Sequence, residues 1–481
     1  MCVAWPMHCY VSHKQSLLLP YLLSALPILP LCLKKKTKKH LNTPLLPTPF
    51  KKKMPSAWTI KQSDYSARVV NPLRVISDTT KPSDCGKSCI KLSMGDPTLD
   101  GNLPPSEESV QAVLEATKSH KHDGYAAVVG APAARESVAA YWRERFVHSD
   151  ALRAHVKASN VIFSSGGSHA IAMSVAALCN PGDNIIVPAP GFPTYDTAGN
   201  AYQAEIRRYR LDPQNGWEGD LAELERLVDE RTKLVIMTNP SNPCGSNFSR
   251  QHVTDVVKLC ERLHVPLLAD EIYAGIVFQY ESNPNKEFTS VADVESTCPR
   301  IVLGGTAKLH TVPGWRIAWL LLIDPANVAS GCYKGLEAQA TLVLGPNTLV
   351  QAALPGALQH TTQVHYDRTV AALEAGAMQF YNAIAQRAVR TTDGAPLLVP
   401  TLPQGAMYVM VQIMLERLDP AAITTDVDFY TKLNAEENVL VIPGSLFHAD
   451  GFFRAVTTRP PEILAEAIDR IVAFCQRHER K

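Results

Sequence analysis

From Asn160 onward, short apolar runs alternate with amphipathic stretches, the pattern of an α/β domain built on a mostly parallel sheet. The runs predict strands at Val161–Ser164, Asn184–Val187, Leu234–Thr238, Pro266–Ala269, Ile301–Leu303 and Ile317–Leu322. Helical periodicity lies between them, for example at Leu221–Asp229 and Arg250–Leu263. Beyond about Thr361 the pattern changes. A long Ala-rich helix, Val364–Arg387, precedes strands near Ala406–Gln412 and Val439–Ile442, and Pro461–His478 reads as a closing helix, so a smaller α+β domain is expected there. No internal repeat is visible.

The first 53 residues have a different texture. Residues 16–33 form an apolar run without charges, bounded by Lys14 and the basic stretch Lys34–Lys39. Eighteen residues sit at the lower edge of what spans a bilayer, and Pro20, Pro27 and Pro30 interrupt a continuous helix. No small-x-small cleavage site follows before the lysines. The extension 1–53 is therefore expected to be disordered or absent from the mature protein, with Met54 as the alternative start to Met1 and no membrane anchoring. The Pro-rich segment Thr43–Pro55 is the clearest linker.

Composition narrows the function classes. A chain of 481 residues has room for two or three domains. With Lys+Arg 47 against Asp+Glu 46, the formal charge of +1 leaves no electrostatic case for a nucleic-acid binder and favours a small-molecule partner. The 11 cysteines are scattered apart from Cys85 and Cys89, and no paired C-x-x-C sets occur. That spacing supports neither a zinc site nor a disulfide framework, so no metal is expected. Free thiols suit a reducing compartment, and a cytoplasmic address is expected, with a mitochondrial one as the alternative.

In open parallel sheets ligands gather at the carboxyl ends of strands, so the residues closing each run carry the most information. The first run ends in Ser165-Gly166-Gly167-Ser168 before a helix, a turn that exposes backbone N–H groups at the positive end of a dipole and suits a phosphate. A simple tight turn is the plain alternative. Leu234–Thr238 leads into Asn239-Pro240-Ser241-Asn242-Pro243-Cys244-Gly245, whose two Asn-Pro pairs make a rigid turn able to hold an Asn amide in one orientation. Val265–Ala269 delivers Asp270-Glu271-Ile272-Tyr273. A carboxylate at the end of a buried strand wants a cationic partner, although a helix N-cap would also explain Asp270. Ile301–Gly305 leads to Thr306-Ala307-Lys308, with Arg316 eight residues later in Pro313-Gly314-Trp315-Arg316. A lysine beside small residues at a strand end is a candidate Schiff-base former, because desolvation frees its amine; a solvated surface lysine is the alternative.

In this order the motifs resemble the fold type I pyridoxal-phosphate aminotransferases, most closely their tyrosine aminotransferase group. Asn71-Pro72-Leu73-Arg74, Gly124-Tyr125 with Gly130, Pro190-Gly191-Phe192, Gly405-Ala406-Met407-Tyr408 and Phe452-Phe453-Arg454 complete the match, which runs from about Met54 to the C-terminus. The resemblance implies a large domain with a mostly parallel seven-stranded sheet flanked by helices, spanning 96–355. Residues 54–95 would form an N-terminal arm and part of the small domain, and 356–481 the rest of that domain. Pyridoxal 5′-phosphate is the implied cofactor. Lys308 would be the Schiff-base lysine and proton shuttle, and Asp270 would keep the pyridine nitrogen protonated. Tyr273 and Asn242 would hydrogen-bond the cofactor's phenolic oxygen, and Phe192 would stack on its ring. Gly166, Gly167, Ser168, Thr306 and Arg316 would surround the phosphate, with Tyr125 reaching it from the neighbouring subunit of a homodimer. Arg454, helped by Gly95 and Asn242, would clamp the substrate carboxylate. The implied reaction moves an amino group from an aromatic L-amino acid, L-tyrosine before L-phenylalanine, to 2-oxoglutarate or pyruvate by a ping-pong mechanism.

Two positions depart from the pattern. Gly305 stands where aspartate-type relatives carry a phosphate-binding Ser, and Leu309-His310-Thr311 is less apolar than expected after the lysine. An arginine that would read a dicarboxylate side chain is not located by any motif. Rival classes are a broad alanine- or aspartate-type aminotransferase, a carbon–sulfur lyase on the same fold, a nicotinamide dehydrogenase, which would need G-x-G-x-x-G, and a membrane-anchored non-catalytic protein motivated by residues 16–33.

Overall fold

The strand runs are apolar on both faces because both faces of the sheet are covered. In a computed structural model of the chain, which describes residues 59–481, Val161, Phe163, Val235, Met237, Leu267, Ala269, Val302, Trp319 and Leu321 pack into one apolar cluster. The alternate residues Ile162, Leu234, Ile236, Leu268, Ile301, Leu303, Leu320 and Leu322 pack into another on the opposite face. This period of two splits each run between two layers of helices. The extension 1–53, including the apolar run 16–33 and the basic stretch 34–39, lies outside the described residues, as do Met54 and the whole of the linker 43–55.

In chain order the first strands are β1 (Ile90–Lys91), β2 (Val161–Ser164), β3 (Asn184–Ala189), β4 (Glu205–Asp212), β5 (Glu218–Gly219), β6 (Thr232–Thr238), β7 (Leu267–Asp270), β8 (Arg300–Gly305) and β9 (Ala318–Ile323). Eight of them form one sheet in the order β2-β9-β8-β7-β6-β3-β4-β5. The pairs from β8 through β4 are parallel, whereas β9 runs antiparallel to both its neighbours. The sheet thus has one strand more than the seven expected: β5, a two-residue edge strand, pairs antiparallel with the end of β4. The fold is the expected mixed α/β architecture.

The predicted strands fall within a few residues of the observed ones, and the helix Arg250–Leu263 has the predicted ends. Strand β4 escaped notice because its sequence looks polar. Arg207, Arg208 and Arg210 pair with Glu205 and Asp229, with Asp196, and with Glu223 respectively, near the sheet edge where charged side chains reach water. The helix Pro132–Phe146 and the helix Glu107–Ser119, capped by Ser106, were likewise not anticipated.

The later strands are β10 (Leu398–Pro400), β11 (Tyr408–Ile413), β12 (Val439–Leu440), β13 (Ile442–Pro443) and β14 (Phe452–Val456). Four form an antiparallel sheet in the order β10-β11-β14-β13, while β1 pairs with β12. The helices Gln363–Arg387, Asp426–Glu437 and Pro461–Arg477 contribute Phe380, Phe429 and Ile471 to the apolar core of this region, which also takes in Tyr273 and Leu309. Among the described residues no helix is long and apolar enough to cross a membrane.

Gly304 in β8 lies between two tryptophans: a Cβ there would come 2.4 Å from Trp319 Nε1 and 2.8 Å from Trp142 Cζ3. Gly304→Ala is therefore expected to cost about 1–3 kcal/mol through overpacking, read as a lowered urea midpoint. A midpoint equal to that of the native chain would show that the two indoles have room to move.

Candidate active site

The carboxyl ends of β6, β7 and β8 lie level, with Thr238 opposite Asp270 and Asp270 opposite Leu303. These ends open onto a cavity of about 600 Å³ lined by Gly95, Gly167, Ser168, Phe192, Asn242, Asp270, Tyr273, Lys308, Arg316 and Arg454. Ten of the predicted site residues thus meet at one place. Gly166 and Thr306 adjoin it. Tyr125 does not line it and is 89% exposed.

Asp270 ends the buried strand β7, and no helix begins there, so the N-cap alternative falls away. Its Oδ2 accepts a hydrogen bond from Tyr195 Oη at 2.8 Å, and Oδ1 accepts a longer one from the Ile272 amide at 3.3 Å. Tyr195 Oη is 2.6 Å from Thr238 Oγ1. Since the phenol has one proton and gives it to Asp270, Thr238 must donate to Tyr195. Burial pushes the Asp270 carboxyl up to about 6, against the opposing hydrogen bond from Tyr195. The cationic partner that the sequence reading called for is not an arginine; Lys308 is the cation that acts on it from across the cavity.

Lys308 follows β8 on a tight turn in which the Thr311 amide donates to Lys308 O at 3.0 Å. Its Nζ donates to Gly95 O at 2.7 Å and lies 5.5 Å from the centre of the Tyr273 ring. The polar-looking His310 is buried between the rings of Tyr141 and Tyr366, at 5.8 and 5.4 Å. Burial and the Arg145 guanidinium push its imidazole down to about 3, so it packs as a neutral ring, which explains the polar residue in an apolar loop. The small residue at 305 also has a cause. A Cβ on Gly305 would come 2.9 Å from Ile272 Cδ1 and 3.1 Å from Ala318 Cβ.

At the other end of the cavity, Gly166 precedes the helix Gly167–Leu178 with φ of +83°. A Cβ at Gly166 would lie 2.2 Å from Arg316 Nη2, so only glycine lets the guanidinium rest against the helix N-terminus. Arg316 donates to Ser165 O at 3.2 Å and to Pro313 O at 3.0 Å. The buried Thr306 Oγ1 has no hydrogen-bond partner.

Arg454 on β14 forms the opposite wall. Its guanidinium donates to Asn242 Oδ1 and to Ser93 O, both at 2.8 Å, and lies over the rings of Tyr408 and Phe447 at 4.4 and 4.8 Å. Arginine has only donors, so the Asn242 carbonyl must face it, which fixes the amide orientation. The turn that carries Asn242 contains cis peptides at Asn239-Pro240 and Asn242-Pro243.

Sequence reasoning missed several contributors. Tyr195 lies three residues beyond Phe192, and reading past the Pro-Gly-Phe motif into the next helix would have found a candidate. Tyr408 was noted only as part of a motif. Arg74 lines the cavity from the short helix Pro72–Thr79, and its side chain has no hydrogen bond or ion pair among the described residues. No motif pointed to it as a ligand for an anion, because only the fold brings the helix to the cavity.

Residues 87–471 match the family model "Aminotransferase class I and II". The chain belongs to this aminotransferase family. The aminotransferase is 39% identical to a tyrosine aminotransferase of Mus musculus over 88% of each chain, and 40% identical to one of Bos taurus over 88% of this chain and 90% of that one. The crystal structure of a tyrosine aminotransferase from Leishmania infantum superimposes with a TM-score of 0.83 at 40% identity, covering 88% of this chain and 100% of that one. An alanine aminotransferase of Pyrococcus furiosus, at 24% identity and a TM-score of 0.77, shares the fold.

Beside Asp270, Glu271 is also buried and accepts hydrogen bonds from Ser290 Oγ at 2.6 Å and the Val291 amide at 2.7 Å. Burial pushes it up to about 8. Both carboxyls therefore hold protons in the folded aminotransferase that they have lost in the unfolded chain, so stability falls as pH rises from about 4 towards 8. Glu271→Gln cannot titrate, and its melting temperature is expected to drop less than that of the native protein between about pH 5 and pH 8. Equal drops would show that Glu271 does not titrate in that window.

Proposed function

We propose that this aminotransferase uses pyridoxal 5′-phosphate to move the amino group of an aromatic L-amino acid, L-tyrosine first and L-phenylalanine second, to a 2-oxo acid by a ping-pong mechanism. The observation that carries the reading is the convergence of a lysine amine and a buried carboxyl on one cavity that ends at a glycine-opened helix N-terminus. The residues fit the cofactor. Arg316, the Gly167 and Ser168 amides and the unpartnered Thr306 hydroxyl would hold its phosphate, and Phe192 would cover its ring. Asp270 suits the pyridine nitrogen, since a desolvated carboxylate is stabilised by a cation beside it.

When bound, the cofactor supplies the electron sink for a carbanion at the amino acid's Cα. The chain supplies the rest. Asp270, held by Tyr195, would keep a proton on the ring nitrogen. Lys308 would bond the cofactor through its amine and would hold and return the proton at Cα. With its carbonyl taken by Arg454, Asn242 has its NH₂ left to hold the cofactor's phenolic oxygen, to which Tyr273 would also donate. Arg454, buried and backed by two rings, has the planar fork that a carboxylate needs, with Gly95 beside it.

The donor preference rests on the relatives' names and on the apolar members of the cavity lining, Leu73, Met94, Ile171, Ile272 and Ile442. The free guanidinium of Arg74 offers a partner for the distal carboxylate of an acceptor such as 2-oxoglutarate, with pyruvate as the acceptor that does without it. Assembly as a homodimer is supported where Thr348 Oγ1 donates to His122 O and joins two segments. Those segments expose Tyr125, Leu342 and Leu344, at 89, 76 and 52%. A second copy would cover this face and take Tyr125 into its phosphate site. A reducing cytoplasmic setting accords with the free cysteines.

The purified protein with cofactor is expected to absorb at the visible edge, and Lys308→Ala to abolish turnover while still binding the phosphate. Normal rates in that variant would end the assignment. The kcat/KM for L-tyrosine should exceed that for L-aspartate by about ten- to a hundredfold, the worth of one charge-assisted clamp. Ammonia and pyruvate released from cystathionine without a 2-oxo acid would indicate a lyase. Arg74→Gln should raise the KM for 2-oxoglutarate by about tenfold or more and leave that for pyruvate within about threefold. Equal changes for both acceptors would remove Arg74 from acceptor binding.

A further inference from the structure

The Tyr408 hydroxyl has no task in the reading above, yet it sits where two parts of the site meet. Tyr408 opens β11, is buried, and its phenol oxygen is in hydrogen-bond contact with that of Tyr273, the rings lying 5.7 Å apart at 76°. The loop of Gly95 closes over it so tightly that a Cβ on Gly95 would lie 2.4 Å from the Tyr408 oxygen. Tyr273 is the hydrogen-bond partner of that hydroxyl. The same ring supports Arg454, whose guanidinium carbon is 4.4 Å from its centre.

Counting protons decides the direction of the contact. Each phenol has one proton, and burial pushes the Tyr273 phenol well above its usual range, so it stays protonated. The charged groups facing the pair are Arg454, Asp270 and Lys308. If Tyr273 gives its proton to an oxygen in the cavity, the proton between the two phenols has to come from Tyr408. A phenol that accepts one hydrogen bond is also a stronger donor of the next.

We propose that Tyr408 is a positioning residue: by donating to Tyr273 it turns the Tyr273 proton into the cavity and strengthens it, while its ring holds Arg454 in place. The substrate-carboxylate clamp and the donor to the cofactor's phenolic oxygen thereby share one support. This rests on the reading of the cavity as a pyridoxal-phosphate site.

The test is an absorbance titration of the holoenzyme. A weaker hydrogen bond leaves more electron density on the phenolic oxygen, which stabilises the proton on the neighbouring Schiff-base nitrogen, so the titration midpoint of the chromophore moves up. Tyr408→Phe is expected to raise the midpoint by about half a unit, in the same direction as Tyr273→Phe and by less. It should change the KM for L-tyrosine by less than about threefold, because the ring under Arg454 is kept. Tyr408→Leu removes the ring and should raise that KM by about tenfold, the worth of a desolvated cation–π contact. In the double variant Tyr273→Phe with Tyr408→Phe the midpoint should match that of Tyr273→Phe alone, since the effect passes through Tyr273. An unmoved midpoint in Tyr408→Phe, or additive shifts in the double variant, would overturn the proposal while the cofactor reading stands. A native protein without the chromophore would overturn the cofactor reading, and the proposal with it.

Discussion

A carboxyl sealed into the end of a central strand is costly to ionise, and the arrangement around Asp270 follows from that cost. Asp270 stands between β6 and β8, and burial lifts its pKa to about 6 even against the hydrogen bonds and the Lys308 charge that oppose the rise. The chain offsets part of this with one phenol proton and one long amide contact. It places no arginine against the carboxyl; the cation that acts on it is Lys308. The level ends of three strands make this possible. Thr238, Asp270 and Leu303 stand side by side, so Thr238 can orient Tyr195 and the loop after β8 can bring Lys308 across the cavity.

Positive charge is distributed around that carboxyl at a distance. Arg316 lies with a helix N-terminus at one end, Arg454 closes the other, and Lys308 lies between them. Burying Arg454 is tolerable because two carbonyl oxygens and two aromatic faces surround it. The two sheets therefore have separate duties. The large one carries Asp270 and leads to Lys308 and Gly167, and the small one carries Arg454 and Tyr408.

The large sheet was legible in the sequence because a strand covered on both faces has to be apolar throughout, and such runs stand out from their neighbours. Strand β4 was not, because Arg207, Arg208 and Arg210 satisfy their charges with acids that are distant in the chain. The site follows the same rule. Lys308, Asp270, Asn242 and Arg316 each lie in or just beyond a strand end, in a local motif that announces them. Tyr195 is 75 residues from Asp270, and Tyr408 is 135 from Tyr273. No periodicity or turn signal encodes a contact of that span. His310 misled for a related reason: its ring looks polar as a letter but is uncharged among aromatic neighbours.

Thr238 and Tyr408 would perform the same operation, each orienting the proton of the phenol beside it. Each stands in a short chain of hydroxyls, Thr238 to Tyr195 to Asp270 and, in the direction proposed above, Tyr408 to Tyr273 to the cavity. A hydroxyl rotor left alone would have to be reoriented as charge developed during a reaction. One whose lone pair is already occupied has its proton direction settled beforehand. Removing a member of either chain should therefore alter the electronics at its far end without opening the fold. In the first chain the charge lies at the end, on Asp270, and uncharged groups fix how it is met. Hydroxyls suit that duty better than charged side chains in a dry site, because they orient a neighbour without adding a charge that the cavity would have to balance.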